Sequence, residues 1–282
     1  MSSTNYAIEW DSINSGGEDS SSSTNYQLRD TVGEHGTGIS SSENYTLGAG
    51  YRQGDSQDPF LSIAIGTQEN SVQTTWTNFS NSTSSVTVAS AGSFSTSDYI
   101  GVIENRGFGQ LVAVGKISGI NGNVISVDDW EGEPASLSAV ASGGDDYVYR
   151  MNGNAAQLGV QTVSTESTSM TLTDIATNAN NGYTVSVQGD TDLSYSSVSI
   201  TNVSDGTVSV DAEEYGIETV GTLGVGTGSD LDIPTSTTRT IQNSSTYASE
   251  DRVAVIYKLS VDAVTPAGDY TQTVLYRVTG NF

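Results

Sequence analysis

Four acidic side chains crowd around one aromatic residue in the stretch Asp128-Asp129-Trp130-Glu131-Gly132-Glu133. Carboxylates at this density suit two chemistries. Glycoside hydrolysis needs two carboxyls facing each other across a sugar, from separate parts of the fold. A consecutive run in a turn does not supply that geometry. Calcium binding is the better match, because Ca²⁺ takes hard oxygen ligands from Asp, Glu and loop carbonyls and needs no His or Cys. Asp128, Asp129 and Glu131 are therefore candidate ligands, as are Asp145 and Asp146. Asp190 with Asp192 and Asp230 with Asp232 form smaller pairs. None has the spacing of an EF-hand loop, and solvated turn acids are the simpler reading. No cofactor is required, with Ca²⁺ the one candidate.

Nucleophilic and redox chemistry is poorly served. The chain has no cysteine and one histidine, His35, set in a Gly-rich stretch without partners for a triad or a metal centre. Lys258 interrupts an apolar run and is a candidate for a covalent lysine–asparagine crosslink assisted by a carboxylate. An outward-facing strand lysine is the plainer expectation. Trp76, Phe79, Tyr99 and Trp130 could stack on surface glycans, although aromatics in β-proteins more often fill cores. These readings together predict a protein that is not an enzyme.

Charge narrows the partners. Thirty-three acidic residues against nine basic ones give a net charge of -24. Such a surface repels phosphate backbones, which argues against nucleic acid, and it disfavours anionic membranes. No stretch approaches the ~18 apolar residues of a membrane-spanning helix, so no membrane insertion is expected. The opening Met1-Ser2-Ser3-Thr4 has neither the basic cluster nor the apolar segment of a leader. Export to the cell surface or the extracellular space is expected to rest on a leader already removed.

The elements that position these residues read as strands throughout. Ser2-Ser3-Thr4-Asn5-Tyr6-Ala7-Ile8 recurs as Ser22-Ser23-Thr24-Asn25-Tyr26-Gln27-Leu28 and as Ser41-Ser42-Glu43-Asn44-Tyr45-Thr46-Leu47. Each copy runs from a polar turn into an alternating Tyr-x-aliphatic strand, which places its apolar side chains on one face. Tyr6, Ile8, Trp10, Tyr26, Leu28, Tyr45 and Leu47 are thus candidates for joining one subunit to another. After a joint at Asp55 to Pro59, Phe60 to Ile65 reads as a strand. Between Gln68 and Asn154, five or six strands predict a small barrel or sandwich, with Asn121-Gly122 marking a hairpin. From Ala155 onward, strands resume at sandwich spacing, including Gln157 to Val163, Tyr183 to Val187 and Arg252 to Val261. A single short helix is conceivable near Ala212 to Tyr215.

Three features carry a resemblance: the Ser-Ser-x-Asn-Tyr repeats, the strand Asn181-Gly182-Tyr183-Thr184-Val185-Ser186-Val187, and the ending Pro266-Ala267-Gly268-Asp269-Tyr270. Together they resemble secreted bacterial cell-surface β-sandwich proteins, and in outline the camelysin and TasA type of biofilm fibre subunit. That resemblance implies polymerisation by lending an N-terminal strand to a neighbour, and it carries over no functional residues.

The expected fold is all-β. It consists of an antiparallel β-sandwich (jelly-roll or Ig-like) with a small inserted β-barrel or sandwich and an N-terminal arm of strand repeats. The expected boundaries are 1–54 for the arm, 55–67 with 155–282 for the main sandwich, and 68–154 for the insertion. The function expected is a structural subunit of an extracellular filament or surface layer, partnered by copies of itself. The alternative is an adhesin or carbohydrate-binding protein that uses the middle β-domain.

Overall fold

The computed structural model of the chain describes residues 58–282 and four strands ahead of them. The chain divides into two compact units, Met1–Asp58 and Pro59–Phe282. In the first, β1 (Gly16–Ser22) pairs antiparallel with β2 (Gln27–Val32), and β3 (Gly38–Ser41) with β4 (Thr46–Ala49). The repeat copies that start at Ser22 and Ser41 therefore each contribute residues to both strands of a pair. Leu28 stands opposite Ser21 and Leu47 opposite Ser40. Tyr6, Ile8, Trp10, Tyr26, Tyr45 and His35 lie outside the described residues.

The second unit opens with β5 (Leu61–Thr67) and then enters a block of short strands. These are β6 (Gln73–Ser80), β7 (Ser85–Val88), β8 (Tyr99–Glu104), β9 (Leu111–Asn121), β10 (Val124–Val127), β11 (Glu131–Gly132) and β12 (Tyr147–Arg150). Antiparallel pairing runs β10-β7-β6-β12-β8-β9, and β9 pairs back onto β10. Six strands thus close a barrel, which removes every open edge among them. Closure demands sharp curvature, and register slips at Trp76/Asn78 and Ser126/Val127 supply it. The Asn121-Gly122 turn joins β9 to β10, with Gly122 at φ +60°, where the hairpin needs a left-handed residue. Trp76, Phe79, Ile100, Val102, Ile125 and Trp130 are among the side chains that fill the interior.

The chain then forms β13 (Ser167–Thr177), β14 (Tyr183–Gly189), β15 (Ser194–Tyr195), β16 (Val198–Ser199) and β17 (Thr201–Asn202). It ends with β18 (Glu214–Val220), β19 (Arg239–Ser244), β20 (Ala248–Ser260) and β21 (Val274–Gly280). A five-stranded sheet runs β17-β18-β20-β13-β5, and a three-stranded sheet runs β19-β14-β21. Their inward side chains, such as Ile175, Ile217 and Val255 facing Tyr183, Val185 and Ile241, form one core. The barrel strands fall in sequence between β5 and β13, which are hydrogen-bonded neighbours.

A third cluster explains why β13 and β20 are buried almost without a break. Met170, Leu172, Ala254 and Ile256 point away from the three-stranded sheet and pack on Ile103, Val112, Val114 and Tyr149 of the barrel wall. The five-stranded sheet is therefore covered on both faces, which favours continuous apolar runs over alternation. Gly66 and Gly101 allow the close approach. A Cβ on Gly66 would meet the Met151 carbonyl, and one on Gly101 the Met170 side chain.

Two expectations are corrected. Residues 212–215 hold no helix: turn residues there lead into β18, whose Tyr215 and Ile217 alternate with Glu214, Gly216 and Glu218 across the sheet. Gln157 to Val163 holds no strand, and Val160 is 96% exposed, so nothing rewards an extended, paired conformation there.

Candidate functional site

The predicted cation ligands do not converge. Asp128 accepts hydrogen bonds from the Lys116 and Asp129 amides and from both terminal nitrogens of Arg252. Asp146 is buried, and its oxygens accept the amides of Asn105, Ser142 and Gly143, each at 2.9 Å. It organises the loop ahead of β12. Asp129 accepts the Trp130 amide. Glu131 is half-buried, and burial, aided by the charges of Asp129 and Asp251, raises its pKa. Among the described residues no three His, Asp or Glu side chains are placed to hold a metal ion.

What the structure assembles instead is a charged junction where the barrel meets the five-stranded sheet. Arg252 of β20 is 2% exposed. Its Nη1 and Nη2 donate to Asp128 Oδ1 and Oδ2 at 2.8 and 2.6 Å, a two-point pairing across the junction. Its Nε donates to Asp174 of β13 at 3.0 Å. Tyr99 of β8 closes the group, with its hydroxyl donating to Asp174 at 2.8 Å and its ring 5.8 Å from the guanidinium carbon. Burial and then the Asp174 carboxylate push the Tyr99 phenol far above its usual range. Desolvation is the largest influence on Asp128 and opposes its charge, but the Arg252 hydrogen bonds and charge together with the Asp129 and Lys116 amides outweigh it and hold the carboxyl below its ordinary range. Every strong donor of Arg252 is engaged. The centre therefore ties the barrel to the five-stranded sheet.

The aromatic candidates are mostly interior. Trp76, Phe79 and Trp130 are at most 5% exposed, and the Phe79 and Trp130 rings lie 5.1 Å apart within the barrel. The Trp76 indole N–H donates to the Ile103 carbonyl at 3.0 Å. These rings offer no face to a sugar.

Two strands, β5 and β21, each end one sheet at the surface. β5 pairs with β13 along its length and, at Thr67 alone, bridges Gly153 on its other side, and β21 pairs only with β14, so over Leu61–Gly66 and along β21 one row of backbone groups is left unpaired by any strand among the described residues. Both strands bring apolar side chains to the same core, and those side chains stay half-buried: Leu61 and Ile63 on β5, Val274, Tyr276 and Val278 on β21. Ile65 is 45% exposed. The two margins adjoin, since a Cβ on Gly280 would lie 3.6 Å from the Leu61 side chain. β5 keeps seven consecutive pairs with β13 without a bulge and carries no charge or proline, the usual devices that blunt an edge.

Lys258 departs from the expected outward-facing lysine. It is 6% exposed and lies between Glu218 and Asp230, an arrangement that the linear pattern did not signal because its partners lie 28 to 40 positions away on other elements.

These features define an all-β protein in which a closed barrel is docked on a two-sheet layer. No protein-family model, curated protein or solved structure matches the chain.

Proposed function

We propose that this protein is a structural subunit of an extracellular filament or cell-surface layer, built on a jelly-roll or Ig-like sandwich, and that it assembles by β-strand addition. The acceptor is the open margin formed by β5 and β21. The donor is a strand of the N-terminal arm of a second copy, in which Tyr6, Ile8 and Trp10 alternate. Backbone hydrogen bonds to an edge supply strength, and alternate side chains entering half-filled positions set the register. The observation that carries this reading is the regular, uncharged β5 edge, with Leu61, Ile63 and Ile65 left half-covered.

Sedimentation velocity and electron microscopy of the full chain and of a variant lacking residues 1–54 test it. The full chain is expected to form extended oligomers, and the truncated one to remain monomeric. A peptide of residues 1–14 is expected to bind the truncated protein in trans. Identical assembly with and without the arm would remove the donor from the mechanism.

A further inference from the structure

The outer face of the five-stranded sheet holds a second buried charge cluster, apart from the Arg252 junction. Lys258 of β20 stands opposite Gly216 of β18. Its ammonium lies 2.7 Å from Glu218 Oε2 and 2.8 Å from Asp230 Oδ1, the three side chains being 7%, 19% and 6% exposed. Each carboxylate is oriented through its second oxygen. The Val208 amide donates to Asp230 Oδ2 at 2.7 Å, and the Gly228 amide donates to Glu218 Oε1 at 3.2 Å. The Asp230 amide in turn donates to the Gly206 carbonyl at 2.9 Å, which fixes its backbone. Apart from the ammonium, Asp230 Oδ1 has no partner.

From this geometry we infer that Lys258 and Asp230 condense into an intramolecular amide, with Glu218 carrying the protons, so that β20 becomes covalently tied to the loop following β18. The partner is an aspartate, where the sequence alone suggested an asparagine.

The step balances without any co-reactant. A proton passes from the Lys258 ammonium through Glu218 to Asp230 Oδ1, leaving a neutral amine beside a neutral acid. Low polarity narrows the gap between that pair and the ion pair, because desolvation penalises both charges. The amine nitrogen then attacks Asp230 Cγ. The developing charge falls on Oδ2, which the Val208 amide already faces, as an oxyanion donor should. Glu218 takes a proton from the nitrogen and returns it to Oδ1. The Cγ–Oδ1 bond breaks, water leaves, and Glu218 ends in its starting state. Condensation of free amine and acid in water is opposed by their hydration, whereas here both groups are desolvated and held in contact, conditions under which intramolecular reactions gain large effective concentrations. Two buried charges disappear in the product.

Intact-mass spectrometry of the folded, then fully denatured, full chain tests the inference. The expected mass is about 18 Da below that of the sequence, the loss of one water on amide formation by a lysine nucleophile. Proteolysis should release a branched peptide joining the segments that contain Asp230 and Lys258. Lys258→Arg keeps the charge and should show the full mass. Asp230→Asn keeps the shape and should lose ammonia instead, about 17 Da, by the same attack. Glu218→Gln should leave the product unformed or much slower to form while circular dichroism shows the native sheet signal. The full sequence mass in the parent chain at every time after folding would overturn the inference, as would a water loss that persists in Lys258→Arg.

Discussion

Arg252 and Asp128 are 124 positions apart and meet as a two-point ion pair at 2.8 and 2.6 Å, joining the sheet to the barrel. The guanidinium also serves Asp174, whose side chain is 7% exposed. Removing the cation leaves that carboxylate buried and uncompensated. Arg252→Leu is therefore expected to cost about 3–5 kcal/mol, the range seen when one partner of a buried pair is deleted. Urea denaturation measures it. The carboxylate side should be cheaper, because Asp128 is 29% exposed and water can replace it. A double-mutant cycle with Asp128→Asn should show clear coupling, since the two side chains share one network.

Trp130 separates two readings of the middle β-domain. As a sugar-stacking residue it would be dispensable to stability. In the structure it is 4% exposed and packs on Phe79. Trp130→Ala should therefore destabilise the protein by about 3–5 kcal/mol through loss of burial and the cavity left behind. A chemical-denaturation midpoint unchanged by the substitution would contradict the packing described here.

Stability should pass through a maximum on the acid side of neutrality. Burial raises the pKa of Glu131, Glu133 and Asp251, so their folded-state values lie above their unfolded ones. Such acids oppose folding while ionised, and the opposition fades as pH falls through their folded values. Asp128 has the opposite sign: against its desolvation, the hydrogen bonds and charge of Arg252 and the Asp129 and Lys116 amides jointly depress its pKa. Its contribution is full above the unfolded value and disappears as pH falls through the lower folded one. The melting temperature should rise on going from about pH 7 to about pH 5, with falling net charge adding to the effect, and drop once pH goes below about 3. Thermal melts across that range in one ionic strength decide it. A monotonic fall from neutrality would contradict the assigned signs.

Much of the strand content was legible, because apolar side chains at period two in β-branched runs leave few alternatives to a pleated strand. The Asn121-Gly122 hairpin announced itself through turn chemistry alone. Barrel closure did not, since it depends on register slips at Trp76/Asn78 and Ser126/Val127 that no local pattern encodes. β18 was missed because Ala212-Glu213-Glu214 looks like the start of a helix, while Glu218 and Gly216 obscure the alternation of Tyr215 and Ile217. Both belong to the sheet for reasons written on another strand. Glu218 meets Lys258, and a Cβ on Gly216 would lie 2.7 Å from the Val203 side chain. Of the carboxylates singled out around Trp130, Asp128, Asp129 and Glu133 lie outside strands while Glu131 falls in the short strand β11, and the partner of Asp128, an arginine from the far end of the chain, lay beyond any local reading.

Assembly through the β5 margin should respond to charge in two separable ways. Each copy carries a net charge of -24, so approach of two copies is opposed at long range. Screening shrinks to about 10 Å at 0.1 M salt, and oligomerisation should therefore strengthen from low salt to that level, with divalent cations acting at lower concentration. Light scattering against sodium and calcium chloride follows the effect. A charge placed on the edge itself should act differently. Ile65 is 45% exposed and Leu275 54%, so Ile65→Lys and Leu275→Lys should leave the melting temperature within the small range of surface changes. Only Ile65→Lys puts its charge on the inward-facing row of the acceptor strand, beside Thr173 of β13. That substitution should abolish oligomers at every salt concentration, because a buried lysine facing the incoming strand lacks a partner. Leu275→Lys, on the outward row of β21, should assemble like the parent chain. Equal behaviour of the two variants would show that the contact between copies lies elsewhere on the surface.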